Sequence, residues 1–242
     1  MEPVAIRHQD YLDVGTSPDR DTFERRLIGF AQKMEFGIVS AAIAVDRPGE
    51  RPIFVMIGNT PASFLEASQR PEDARRDPVM KRMRTSSVPF IYDQRLYVDD
   101  GAGDLWEAQA PHGYRTGVSM ALHLPAGRHF CLGVDREAPL PSTDVALTRM
   151  MADLQLLAVF AQETAIRVLL PTSERESEAA TLTPRERQVL QWTRDGKTAW
   201  EVGAILGMSE NTVNFHLKNA TSKLGVTSKH QAVLKAMNLG LI

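Results

Sequence analysis

Residues Thr183–Val233 read TPRERQVLQWTRDGKTAWEVGAILGMSENTVNFHLKNATSKLGVTSKHQAV, a string on which four helix starts can be marked. Thr183-Pro184-Arg185-Glu186 places Thr at the N-cap, Pro at the first helical position and Glu at the third, which completes a capping box. That helix turns Val189, Leu190 and Trp192 inward and ends near Gly196. Thr198 caps a second helix with Val202, Ile205 and Leu206 on its apolar side, and Gly207 follows where a left-handed C-cap costs least. Ser209 caps a third helix running to about Lys223, and Ser228 caps a fourth that ends near Asn238. A turn of about three residues containing Gly joins the second and third helices, the helix-turn-helix arrangement. This end of the chain is therefore all-α.

On the third helix Val213, Leu217, Ala220 and Leu224 recur at helical spacing and define the buried stripe. Asn211, Asn214, Phe215, Lys218 and Ser222 then fall on the opposite face. An amide and a lysine one turn apart on an exposed face suit the reading of base edges in the major groove. Lys197, Thr198, Lys223 and Lys229 are placed to hold phosphates and set the register. A small helical dimerisation domain with a solvated polar face has the same geometry and stays open at this point.

The charge distribution leans the same way. The chain has 242 residues with 28 Lys+Arg against 30 Asp+Glu, a net of −2. Residues 181–242 carry eight basic and four acidic side chains, a net of +4, while residues 1–180 carry 20 against 26, a net of −6. An acidic part joined to a small basic one suggests a module facing phosphates. Hydrophobic content of 43% and charged content of 24% are ordinary for a globular protein. The single cysteine, Cys131, excludes an intramolecular disulfide and a Cys-based zinc module. No apolar run approaches the ~18 residues of a bilayer span, and MEPVAIRHQDYLDVG at the start lacks the pattern of a signal peptide. A cytoplasmic protein with no membrane partner is expected.

The quoted string resembles the LuxR-type DNA-binding domain over nearly its whole length. The matching features are Thr183, Glu186, Val189, Leu190, Gly196-Lys197-Thr198, Glu201, Ser209, Thr212-Val213, His216 and Lys223-Leu224. The resemblance implies double-stranded DNA as partner at a pseudo-palindromic site, with Asn214 and Lys218 reading bases. The DNA-contacting set expected is Asn211, Asn214, Lys218, Thr198, Ser209, Thr212, Lys223 and Lys229. It also implies a homodimer, with Ala232, Val233, Ala236 and Leu239 of the fourth helix at the contact. Gly203 departs from the family's usual Ala and is expected to cost about 1 kcal/mol of helix stability.

Upstream, Pro171–Ala180 (PTSERESEAA) contains no large apolar residue and reads as a linker between residues 1–170 and 181–242. Before it, Leu147, Met150, Met151, Leu154, Leu157, Ala158, Ala161, Ala165 and Val168 mark a long amphipathic helix that Pro171 stops. Asp21-Thr22-Phe23-Glu24 opens a helix whose C-terminal stop is expected at Gly37. Ile38–Val45 and Ile53–Ile57 are β-branched runs; 62–69 and 78–84 look helical; Gly117–Leu124 and His129–Val134 flank a hairpin signal at Pro125–Gly127. The expected fold is an α/β sandwich, an antiparallel sheet flanked by helices, with room for a pocket.

A phospho-acceptor receiver domain does not fit, because Ile38–Val45 is followed by Asp46 alone rather than an acidic pair. Instead, Asp77-Pro78-Val79 and the segment His112–Ser119 (HGYRTGVS) resemble the autoinducer-binding domain of LuxR-type quorum-sensing receptors. The ligand this implies is an N-acyl homoserine lactone, with one amide N–H, two carbonyls and an apolar tail. Asp77 would accept the N–H. Family spacing places Phe64 and Ser68 where a Trp and a Tyr donate to the two carbonyls, and Tyr92 at a stacking Trp. Phe64 has no donor and Ser68 has a much shorter arm. Ser119 can still meet a ligand amide or carbonyl.

Three readings follow: an unusual acyl-homoserine lactone, a chemically different small molecule, or a pocket filled by side chains. For Asp77 a plain helix cap is the alternative. An enzyme fused to a DNA-binding domain is the rival class, but no nucleophile–base pair or phosphate loop supports it. No metal or other cofactor is expected. His123 and His129 lack an identifiable acidic partner, and Cys131 reads as a small core residue.

Overall fold

The structure, a computed structural model, describes residues 5–47, 51–62, 71–172 and 182–242. Apart from Pro125–Gly127, the residues up to Leu170 form one compact unit and those from Pro171 onward the other.

In the first unit a five-stranded antiparallel sheet has the order β2-β1-β5-β4-β3, with β1 Ile38–Val45, β2 Ile53–Gly58, β3 Phe90–Asp93, β4 Thr116–Leu124 and β5 Arg128–Arg136. Side chains alternate across a strand, and that alternation gives the sheet two chemically different faces. Val39, Ala41, Ile43 and Val45 of β1, Val118 and Met120 of β4, and Phe130, Leu132 and Val134 of β5 form one face. Against it pack α1 (His8–Gly15), α2 (Arg20–Lys33) and α7 (Asp144–Leu169), through Tyr11, Val14, Phe23, Leu27, Phe30, Leu154, Leu157, Ala161 and Ala165. The other face carries Tyr92, Ala121 and Cys131 and packs on a smaller cluster. That cluster comes from α4 (Pro78–Thr85), α5 (Gln94–Asp99) and α6 (Gly103–Gln109), with Val79, Met83, Tyr97 and Trp106 as its main members. The short α3 (Pro71–Arg76) precedes α4.

Several expected boundaries shift. Asp19, not the Asp21 segment, caps α2 by accepting from the Thr22 N–H at 2.7 Å. The helix ends at Lys33 with Met34 as its C-cap, and the left-handed residue that follows is Glu35 (φ 65°) rather than Gly37. The Glu35 carboxylate is held by Arg136 at 2.9 Å, which offsets part of that backbone cost. Helices α3, α5 and α6 and strand β3, of four to seven residues, are too short to display a period, and the eight-residue α1 is likewise not among the expected elements. The helix expected over 62–69 lies almost wholly outside the described residues, as does the linker from 173.

The second unit is four helices, α8 Pro184–Arg194, α9 Ala199–Leu206, α10 Glu210–Lys223 and α11 Lys229–Asn238. Every cap falls where the local sequence put it: Thr183, Thr198, Ser209 and Ser228 each accept from the backbone N–H three residues on. Gly207 closes α9 at φ 68°. Val189, Leu190, Val202, Val213, Leu217, Ala220, Leu224, Ala232, Val233 and Ala236 form the core.

Two expectations are corrected here. Ile205 is 46% exposed instead of inward. Ala232, Val233 and Ala236 sit inside the unit's own core, so they are unavailable to a second copy; the exposed apolar side chains of α11 are Leu234 and Met237.

Candidate functional site

Between the second face of the sheet and α4–α6 lies a cavity of about 170 Å³. Its apolar wall is Ala42, Phe54, Met56, Val79, Met80, Met83 and Cys131; its polar wall is Ser40, Thr60, Asp77, Tyr92, Tyr97, Gln109, Tyr114, Ser119 and Asp135. A second hollow of about 400 Å³ shares Phe54, Met80, Met83 and Cys131 and continues the apolar lining past Ile53 and Ala121. Together they form a space with a polar end at Asp77 and Asp135, an apolar middle, and Asp46, Arg84, His123 and His129 at the far end.

Of the expected ligand residues, Asp77, Tyr92 and Ser119 all line this cavity, whereas Phe64 and Ser68 lie outside the described residues. Asp77 has two roles at once. Its Oδ1 caps α4, accepting from the N–H of Val79 at 2.7 Å and of Met80 at 3.2 Å. The Tyr97 hydroxyl donates to both of its oxygens at 3.4 Å, which leaves Oδ2 lightly engaged. Burial raises the Asp77 pKa above the usual carboxylate range, and the two backbone N–H groups act against that rise.

The Tyr92 phenol is not free for a ligand: it donates to Asp135 Oδ1 at 2.6 Å. Asp135 is 1% exposed, and burial pushes its carboxyl up to about 7 against the opposing effect of the Tyr92 hydrogen bond. The pair depends on Gly117. A Cβ there would lie 2.5 Å from the Tyr92 ring, 2.6 Å from its hydroxyl and 2.7 Å from Asp135 Oδ1. Ser119 faces Gly133 across the β4–β5 ladder, and the missing side chain at 133 keeps the serine hydroxyl uncovered toward the cavity.

Asp135, Gln109, Tyr97 and Tyr114 were missed from the sequence. Asp135 continues the alternation of Cys131 and Gly133 along β5, a signal hidden because the apolar run of the sequence stops at Val134 while the strand continues to Arg136. Gln109 lies at the end of a seven-residue helix without a detectable period. Cys131 lines the cavity wall with its thiol pushed up to about 11 by burial, which fits an inert packing role. His123 and His129 face each other at 2.8 Å between their Nδ1 atoms, and Asp46 meets His129 Nε2 at 3.1 Å. They form a hydrogen-bonded chain at the far end of the apolar hollow.

In the second unit Asn211, Asn214, Phe215 and Lys218 are exposed along one side of α10, while Val213, Leu217 and Ala220 are buried on the other. The hydroxyls of Thr198 and Ser209 serve as caps, and Ser209 Oγ also pairs with Thr212 Oγ1 at 2.8 Å. Lys229 is exposed at the first position of α11. Lys223 reaches back to the buried Glu186 carboxylate at 2.8 Å, tying α10 to α8. Burial acts to raise the Glu186 pKa, but Lys223 and the Thr183 N–H and hydroxyl outweigh it and hold the group below its ordinary value.

Comparison with known proteins matches both units. The family profile described as "Autoinducer binding domain" matches residues 19–165, and "Bacterial regulatory proteins, luxR family" matches residues 180–236. The transcriptional activator protein SolR of Ralstonia nicotianae is 34% identical over 227 residues, covering 94% of each chain. The crystal structure of Escherichia coli SdiA superposes with a TM-score of 0.74 at 27% identity, over 96% of this chain and 95% of that one. SdiA in complex with octanoyl-rac-glycerol gives 0.73 at 27% identity, over 96% and 93%.

Proposed function

The chain belongs to the LuxR family of bacterial regulatory proteins, with an autoinducer-binding domain and a helix-turn-helix DNA-binding domain, and from that premise we propose a ligand-gated transcription regulator of quorum sensing. It is a regulator and not an enzyme, as its relatives are named transcriptional activators. In this reading residues 1–170 are the sensor, 171–180 the linker and 181–242 the reader of double-stranded DNA. The protein acts in the cytoplasm as a homodimer, which presents two α10 helices to half-sites about one helical turn apart.

The observation that carries the ligand assignment is the cavity with Asp77 at its polar end and Met80, Met83 and Phe54 along its apolar length. That arrangement fits a small amphiphile with an N–H in the head and an acyl tail, the N-acyl homoserine lactones foremost. The octanoyl chain in the SdiA complex is of the same class of tail. About 170 Å³ of space speaks against a pocket already filled by side chains.

Asn214 and Lys218 are assigned to base edges, with Asn211, Thr198, Ser209, Thr212, Lys223 and Lys229 at or beside the backbone. Fluorescence anisotropy with a pseudo-palindromic site and random duplexes tests the division. Asn214→Ala should lose affinity only for the specific site, and Lys229→Ala should weaken all sequences alike and flatten the salt dependence. Equal loss on both duplexes for Asn214→Ala would remove it from base reading. For the ligand, mass spectrometry of small molecules extracted from the folded full-length protein should return an acylated compound in near-stoichiometric amount.

A further inference from the structure

Two polar groups on the cavity wall are short of partners, and for one of them, the Asp135 carboxylate, a neutral acyl lactone carries no donor beyond its single N–H. Asp135 is 1% exposed, and the Tyr92 hydrogen bond is the only one its side chain makes among the described residues. Gln109 is 5% exposed, its Oε1 lies 3.5 Å from the Tyr97 hydroxyl, whose one proton is shared with Asp77, and its Nε2 has no hydrogen-bond partner among the described residues. Both side chains line the same cavity as Asp77. A buried amide donor left unpaired costs about 1–3 kcal/mol, and a buried carboxylate short of partners costs more when ionised. Such groups are retained where something else completes them.

The complement can be read off. One ligand N–H goes to Asp77 Oδ2. The acyl carbonyl beside it needs a donor, and the free Nε2 of Gln109 is one. Asp135 then still has only the Tyr92 donor, and a lactone ring has none to add. We propose that the natural ligand is an acylated amine whose head bears a protonated amino group, held by the Asp135 carboxylate, with Gln109 donating to its acyl carbonyl. The tail would run along Phe54, Met80 and Met83 into the neighbouring hollow. The ionisable groups that line the cavity with Asp135 are the phenols of Tyr92, Tyr97 and Tyr114, the Cys131 thiol and the Asp77 carboxyl, with no cation among the described lining residues. Burial without a cation is also what pushes Asp135 up to about 7, so an ammonium entering the site would pull it back to the ionised form. The inference rests on the small-molecule reading of this cavity.

Titration calorimetry on the full chain at pH 7 tests it with three octanoyl compounds. These are N-octanoyl-1,2-diaminoethane, its neutral isostere N-octanoylethanolamine, and N-octanoyl homoserine lactone. The wild type should bind the amine at least tenfold more tightly than the isostere, a comparison that needs no variant. Asp135→Asn should lose at least tenfold for the amine and stay within threefold for the other two. Gln109→Leu should weaken all three several-fold. An amine that binds no better than its isostere overturns the proposal, as does an equal loss of all three ligands in Asp135→Asn. If the lactone or the isostere binds while the amine does not, this inference alone falls; if none of the three binds, the small-molecule reading falls with it.

Discussion

Glu186 and Asp135 are both buried carboxylates, 3% and 1% exposed, yet the two units treat them in opposite ways. Glu186 receives the N–H of its own N-cap residue three positions back and the ammonium of Lys223 on the helix that crosses it. Its charged form is favoured. Asp135 receives one phenol across the sheet and faces a cavity, so its neutral form is favoured. In the DNA-binding unit a buried charge is structural and fully answered. In the sensor unit it is left partly unanswered, which is the condition for an entering molecule to make a difference.

The largest expected effect separates the two by pH. Asp135 has a folded-state pKa raised above its unfolded value, so the stability it contributes is present below about pH 4 and is lost as pH rises through about 7. Between those limits the sensor unit should lose about 2–4 kcal/mol that Asp135→Asn does not lose. Hydrogen exchange of the β4 and β5 amides in the full chain at pH 5 and pH 8 reads this difference; identical pH slopes in wild type and variant would break the contrast.

Glu186 runs the other way. Its folded pKa is lowered, so its contribution is present at neutral pH and lost as pH falls below the ordinary glutamate range. Glu186→Ala removes a half-exposed ion pair and one arm of a capping box together, and about 2–3 kcal/mol should go from the C-terminal unit. Denaturant unfolding followed through Trp192 and Trp200 measures it. A change below 0.5 kcal/mol, on the order of an exposed surface pair, would show that the burial of Glu186 is incidental.

Two smaller effects sharpen the comparison within the second unit. Gly203 resembles a simple weakness in α9, yet a Cβ there would lie 2.6 Å from the Met208 carbonyl in the turn before α10. Gly203→Ala is therefore expected to destabilise by about 1 kcal/mol or more, the reverse of its helix-propensity gain of roughly 1 kcal/mol. Thermal unfolding that shows a gain would mean the turn relaxes freely. Thr198→Ala removes a purely local cap and should cost about 1 kcal/mol, with no change in the exchange of sensor-unit amides.

The second unit was almost wholly legible in the string from Thr183 onward. Its caps act over three residues, and its core stripe is a helical period, so neighbours in sequence carry the instruction. The exceptions involve contacts between elements: Ile205 faces out, and Ala232 and Ala236 turn into the unit's own core. The sensor unit was legible for β1, β2, the β4–β5 hairpin and the long α7. It was not legible for the polar wall of its cavity. Tyr92, Gln109 and Asp135 are separated by 17 to 43 residues, and no local pattern marks them as neighbours. Asp77 was identified through its motif, but its division between cap and cavity needed the positions of Val79, Met80 and Tyr97.

The sequence alone determined the helix-turn-helix with its caps, the exposed side of α10, the family, and the separation of charge into an acidic and a basic part. Each of these is a short-range or additive property. Tertiary structure alone decided which side chains meet in the cavity and whether a buried carboxylate is answered there. Burial and pairing depend on strands brought together across the sheet, and Gly117 matters because Tyr92 and Asp135 pass over it.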